Sequence, residues 1–200
     1  MDDDHYFSAD PAVAFKRAPV QASVWGHDLE LTSGSGVFAQ GRVDIGTAIL
    51  FRETQPPAPG RILDLGCGYG VIGLAVAVAV PDAVVTAVDV NERAVLLANE
   101  NAVALGVTDR YTAATPAGVP PDATYDEIWS NPPIRIGKAA LHELLLTWLP
   151  RLAPDGRAVM VVGKNLGADS LQRWLGEQGY PTVRLASAKG FRVLESRRRV

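Results

Sequence analysis

The sequence predicts an α/β protein built on a doubly wound, mostly parallel sheet of seven strands. Three observations predict it. Short apolar runs alternate with stretches of helical periodicity from residue 61 onward. A glycine-rich turn, Gly66-Cys67-Gly68-Tyr69-Gly70, joins the first of these runs to the first helix after it. Two acids, Asp64 and Asp89, stand at the ends of the first two runs. Strands alternating with helices bury a parallel sheet between two helical layers, and ligands bind at the carboxyl ends of its strands.

Each element has its own signal. Residues 20–31 read as a β-hairpin turning at Gly26-His27-Asp28, followed by a Gly-rich stretch from Thr32 to Gly36. With them, residues 1–43 form an N-terminal extension to a main domain at 44–200. Asp44 is a suitable cap for a helix over 44–54, which Gln55 to Gly60 then breaks. Strands are expected at Arg61–Leu65, Ala83–Val88, Arg110–Ala114, Tyr125–Ser130 and Ala158–Gly163. Helices are expected at Val71–Val80, after the cap Asn91, along the face Leu141, Leu144, Leu145, Trp148 and Leu152, and over 168–178. Pro154-Asp155-Gly156 reads as a turn. Strands near 181–187 and 190–196, around Lys189-Gly190, form an antiparallel hairpin that closes the sheet.

Composition narrows the function classes. Two hundred residues fit one ordinary domain, and no apolar run approaches the roughly 20 residues that span a bilayer. The acidic N-terminus (Asp2, Asp3, Asp4) lacks the pattern of a secretory signal, so a cytoplasmic location is expected. The one cysteine and three scattered histidines give no metal-binding spacing. Net charge is −3, but Arg184, Lys189, Arg192, Arg197, Arg198 and Arg199 against Glu195 give the last twenty residues +5 and leave −8 for the rest. A basic C-terminal edge can touch phosphates, or it is a solvated tail.

Glycines let a backbone approach a ligand closely, and the helix after them favours an anionic group. Gly68, Gly70 and Gly73 satisfy the dinucleotide pattern G-x-G-x-x-G, which would imply a nicotinamide cofactor. Asp64 argues against it. A carboxylate beside the helix N-terminus repels pyrophosphate but suits a ligand bearing an ammonium and a sulfonium. Asp89 can accept hydrogen bonds from both hydroxyls of a ribose. The bland reading is that Asp64 caps the loop and Asp89 the next helix. Cys67 has no basic neighbour to stabilise a thiolate, so it reads as a small residue in a tight turn.

Ser130-Asn131-Pro132-Pro133-Ile134 ends the fourth strand. An amine conjugated to a base is a poor nucleophile. Acceptors aimed at its N–H bonds orient it and stabilise the charge that develops as it attacks. The Asn131 amide oxygen and the Pro132 carbonyl can both accept, while Pro132 and Pro133 stiffen the loop. Arg135 and Lys138 then enter a helix N-terminus, where cations oppose the dipole unless an anion such as an RNA phosphate binds.

The run Asp64 to Gly70, with Asp89, resembles the first two motifs of class I S-adenosylmethionine (SAM)-dependent methyltransferases, which have a Rossmann-like sheet. The resemblance implies that Asp64, Gly66, Cys67, Gly68 and Gly70 hold the methionine part of SAM. Asp89 would hold the ribose, with Val90 and Asn91 near the adenine. Thr115 occupies a position, after the third strand, where Asp or Asn is frequent. Asn-Pro-Pro resembles the motif of enzymes that methylate planar nitrogens, with Asn131, Pro132 and Pro133 catalytic and Asn131 also beside the cofactor. Those families often place an aromatic next, where this chain has Ile134.

Together with His5-Tyr6-Phe7-Ser8, Ser35-Gly36-Val37-Phe38, Val43-Asp44-Ile45-Gly46-Thr47 and Lys189-Gly190-Phe191, this pattern resembles the RsmC-type guanine-N2 methyltransferases of 16S ribosomal RNA, particularly single-domain relatives. It implies that Phe38 and the Asp44–Thr47 turn cover the SAM pocket. Ile134, Arg135, Lys138 and the C-terminal basic residues would contact RNA or a ribosomal particle. Adenine N6, a protein glutamine amide, a small-molecule amine, or a catalytically silent SAM- or RNA-binding module remain as alternatives.

Overall fold

The computed structural model describes residues 14–198, apart from the Arg135 side chain. His5–Ser8 and Arg199 therefore lie outside the described residues. A hairpin of β1 (Arg17–Val24) and β2 (His27–Gly34) is followed by α1 (Ile45–Glu53), β3 (Arg61–Leu65), α2 (Val71–Ala79), β4 (Val84–Val88), α3 (Glu92–Ala104) and β5 (Tyr111–Ala114). The chain continues through β6 (Tyr125–Ser130), α4 (Lys138–Trp148), β7 (Leu152–Gly163), α5 (Ala168–Glu177), β8 (Thr182–Ala188) and β9 (Phe191–Arg197). The main sheet has the order β5-β4-β3-β6-β7-β9-β8. β3 to β7 are parallel, and β9 is antiparallel to both its neighbours. This is the doubly wound sheet with a closing hairpin that the sequence predicts.

Period-two alternation splits each central strand between two cores. Trp129, Val159, Val161 and Val193 face a layer made by α1, α2, α3 and the N-terminal hairpin. Ile128, Met160, Val162 and Leu194 face α4 and α5. Val20, Ala22, Val24, Leu29 and Leu31 of the hairpin belong to the first of these cores.

Caps set the helix starts. The Asp44 carboxylate accepts from the Gly46 and Thr47 amides at 2.8 and 3.3 Å, and Asn91 Oδ1 accepts from the Arg93 amide at 3.0 Å. Two turns depart from expectation. The first hairpin turns at Trp25-Gly26, both with positive φ, rather than at Gly26-His27-Asp28. A two-residue turn of this hand matches the twist of the strands it joins. Pro154-Asp155-Gly156 is a bulge inside β7 and not a turn before it. Tyr125 pairs with Leu152 and Glu127 with Arg157, so a step of two on β6 faces a step of five on β7. Leu152 accordingly belongs to β7 and not to the α4 face.

Candidate active site

The glycine loop leaves β3 and enters α2 with Gly66, Gly68 and Gly70 at φ of +74°, +55° and +92°. Only glycine adopts such a run without strain. The loop is clamped to the end of β4, where the Val88 carbonyl accepts from the Gly66 and Cys67 amides at 2.8 and 3.0 Å. Asp89 holds it from the other side. Its Oδ2 accepts from the Gly68 amide and its Oδ1 from the Asn91 amide, both at 2.9 Å. Burial pushes the Asp89 carboxyl up, and bonds from the Asn91, Gly68 and Val90 amides pull it back. A carboxylate has about four lone-pair sites, so acceptor capacity remains for a ligand hydroxyl.

Asp64 lies in the interior at the end of β3. It has no exposed surface, and its Oδ2 accepts from the Gly73 amide at 2.8 Å. Burial, opposed by that bond and reinforced by Asp89, pushes its carboxyl up to about 7. Asp64 thus supports the glycine turn through Gly73, while its Oδ1 is buried without a partner. Asn91 is likewise committed elsewhere. Buried at 1% exposure, it donates from Nδ2 to the Gly36 carbonyl, tying the segment before Phe38 to α3. Cys67 is buried, and burial with the charges of Asp89 and Asp64 pushes its thiol up, away from thiolate chemistry.

Asn131 follows β6 across the cleft from the loop. Its Nδ2 donates to Asp44 at 2.8 Å and to Thr47 Oγ1 at 3.0 Å. A carboxylate only accepts, so Asp44 fixes which way the amide faces and leaves Oδ1 as the acceptor. Sequence reasoning identified Asp44 as a helix cap and missed this second bond. The Pro132 carbonyl, expected to be free for an amine, already accepts from the Ile134 amide at 2.8 Å across an inverse γ-turn at Pro133. One lone pair remains on it.

Phe38, Ala39, Asp44, Thr47, Gly66, Cys67, Gly68, Tyr69 and Asn131 converge on one cleft, which Val71 and Ile72 also line. Tyr69 was not foreseen. Its hydroxyl donates to the Arg42 carbonyl at 3.1 Å and ties the covering segment to the glycine loop. Gly70 caps α2 and Val90 is exposed, and neither lines the cleft. Thr115, after β5, accepts through its carbonyl from the Gly118 amide, and Ile134 is half-buried against the α4 core. Lys138 is exposed at the start of α4.

The sequence profile of the methyltransferase small domain matches residues 28–195. The chain belongs to this methyltransferase family. An uncharacterised protein, YbxB of Bacillus subtilis, is 34% identical over 198 residues and 98% of both chains. Ribosomal RNA small subunit methyltransferase C of Pseudomonas aeruginosa is 34% identical over 86% of this chain, which spans 52% of that enzyme. Ribosomal RNA large subunit methyltransferase G of Streptomyces coelicolor is 38% identical over 66% of this chain and 37% of its own. The chain thus spans about half of the first named enzyme and about a third of the second. Among solved structures, a Thermus thermophilus 16S rRNA N2 G1207 methyltransferase (RsmC), in complex with AdoMet and guanosine, superposes with a TM-score of 0.75. It is 23% identical and aligns over 96% of this chain and 53% of its own.

S-adenosylmethionine is the cofactor of this methyltransferase family, and the residues present fit it. A Cβ on Gly66 would stand 3.6 Å from Pro133 Cδ, so bare glycine keeps the gap between loop and motif open. Asp89 offers acceptors beside it. When bound, the cofactor supplies an electrophilic methyl group. Among the described residues no cluster of His, Cys, Asp and Glu could hold a metal, and no helix is long and apolar enough to cross a membrane.

Proposed function

We propose that this methyltransferase modifies an exocyclic amine of ribosomal RNA, namely guanine N2 of the small subunit. The observation that carries this reading is the fixed Asn131 amide. With Nδ2 committed to Asp44 and Thr47, Oδ1 presents an acceptor at the cleft. An aryl amine needs such an acceptor for its N–H as its lone pair leaves the ring, and the remaining Pro132 lone pair serves the second N–H. Deprotonation can follow transfer, so no strong base is required. The names of the ribosomal RNA methyltransferases similar to this chain agree with that substrate class.

The test is methyl transfer from labelled SAM to small-subunit RNA and particles lacking modification, with nucleoside analysis of the product. N2-methylguanosine is the expected product, and label confined to protein would sink the proposal. Asn131→Ala should lower kcat by about 10²–10³-fold, as loss of one preorganised partner does, with the RNA KM little changed.

A further inference from the structure

The geometry points to an RNA phosphate site at the β7–β9 corner of the carboxyl edge, formed by Lys164 and Lys189. It rests on the proposed RNA substrate.

Topology places both lysines on the active-site edge of the sheet. β9 runs antiparallel to β7, and Phe191 pairs with Gly163 at the carboxyl end of β7. Lys164 follows that end, and Lys189 precedes Phe191 in the turn from β8. The Lys164 amide donates to the Gly190 carbonyl at 2.7 Å, which fixes the two segments side by side. Phe191 connects the corner to the acceptor site. A Cβ built on Gly46 would meet its ring at 3.0 Å and Asn131 Nδ2 at 3.4 Å.

The corner is cationic and unneutralised. Both lysines are exposed, and among the described residues neither makes an ion pair. The neighbouring Asp169 is engaged by Arg192 at 3.5 Å, and Asp44 by Asn131.

The turn presents Lys189 at this corner. Lys189-Gly190 is a two-residue hairpin turn between the paired Ala188 and Phe191, and its positive φ angles of +45° and +83° match the twist of the strands, as at Trp25-Gly26. Two exposed lysines on adjacent backbone segments suit successive phosphates of a single strand whose base reaches Asn131.

The far edge supplies the control. Arg197 and Arg198 lie at the opposite end of β9, where Arg197 bonds Glu195 at 2.9 Å and Arg198 bonds the Pro150 carbonyl at 3.5 Å. The experiment measures binding of a 12-nucleotide single-stranded oligoribonucleotide across a salt series, with S-adenosylhomocysteine present. K164A/K189A should weaken binding about 10-fold at low salt and reduce the log–log salt slope by about 1.4, at roughly 0.7 per contact. K164R/K189R should restore most of both, and R197A/R198A should keep the wild-type slope. RNA methylation by the wild type with an unchanged slope in K164A/K189A overturns this site alone. Absence of RNA binding by the wild type, or equal binding of polyglutamate, overturns it together with the RNA substrate.

Discussion

A carboxyl group without solvent exposure keeps its proton unless hydrogen bonds replace the lost water. Asp64 has one such bond, from Gly73, while its Oδ1 is buried without a partner in the structure. Its pKa rises from near 4 in the unfolded chain to about 7. A raised carboxyl stabilises the fold fully below pH 4, and that contribution is lost as pH rises through 7. Asp64→Asn keeps the acceptor for Gly73 and replaces a neutral acid with a neutral amide. Its melting temperature should fall less than the wild type's between pH 5 and 8, by the equivalent of a few kcal/mol at the alkaline end. Parallel pH profiles in the two proteins would show that Asp64 ionises freely. The sequence identified Asp64 as a strand-end acid but not its depth, because the fold over it is made by residues 73 and 111. The bond from Asn131 to Asp44 was hidden for a related reason: it spans 87 residues and leaves no local pattern.

At the scale of elements, helix caps and the glycine turn were legible because their causes are local. As caps, Asp44 and Asn91 act within a few residues of themselves, and so do the loop glycines. Pairing is not local. Pro154-Asp155-Gly156 has the composition of a turn, yet pairing with β6 makes it a bulge within β7. Gly156 is required there by space. An added Cβ would meet the Asp126 carbonyl oxygen at 2.8 Å and the Ala153 backbone at 3.1 and 3.2 Å. These are backbone atoms, so relief requires a shift between β6 and β7. Gly156→Ala should cost about 1–3 kcal/mol in denaturant unfolding, as overpacking does. An unchanged midpoint would mean that the bulge is free to move. Asn131 directly follows β6, so the same variant should also reduce kcat.

Across the whole molecule, the basic tail read from the sequence divides between two edges. Lys189 lies at the active-site edge, while Arg197 and Arg198 are bound to Glu195 and the Pro150 carbonyl at the other. Linear charge counting cannot see this, because the antiparallel strand carries its two ends to opposite sides. The N-terminal hairpin is likewise joined to the site through a buried side chain. Asn101, on α3, accepts from the Thr32 amide at 2.8 Å and donates to the Thr32 carbonyl at 2.9 Å. It also donates to the Tyr69 carbonyl in the glycine loop at 2.9 Å. Hairpin, helix and loop therefore share one 2%-exposed residue. Asn101→Ala would leave three backbone groups without their partner, at a cost of about 3 kcal/mol. For a chain of this length that corresponds to a fall of roughly 6–12 °C in Tm. SAM affinity should weaken with it, because the Tyr69 carbonyl no longer anchors the loop, and unfolding should remain one transition by fluorescence and circular dichroism. Hydrogen exchange would separate the alternatives. Faster exchange in both the hairpin and the Cys67–Gly70 amides is expected, whereas loosening of the hairpin alone, with SAM affinity intact, would mean that the two are energetically independent.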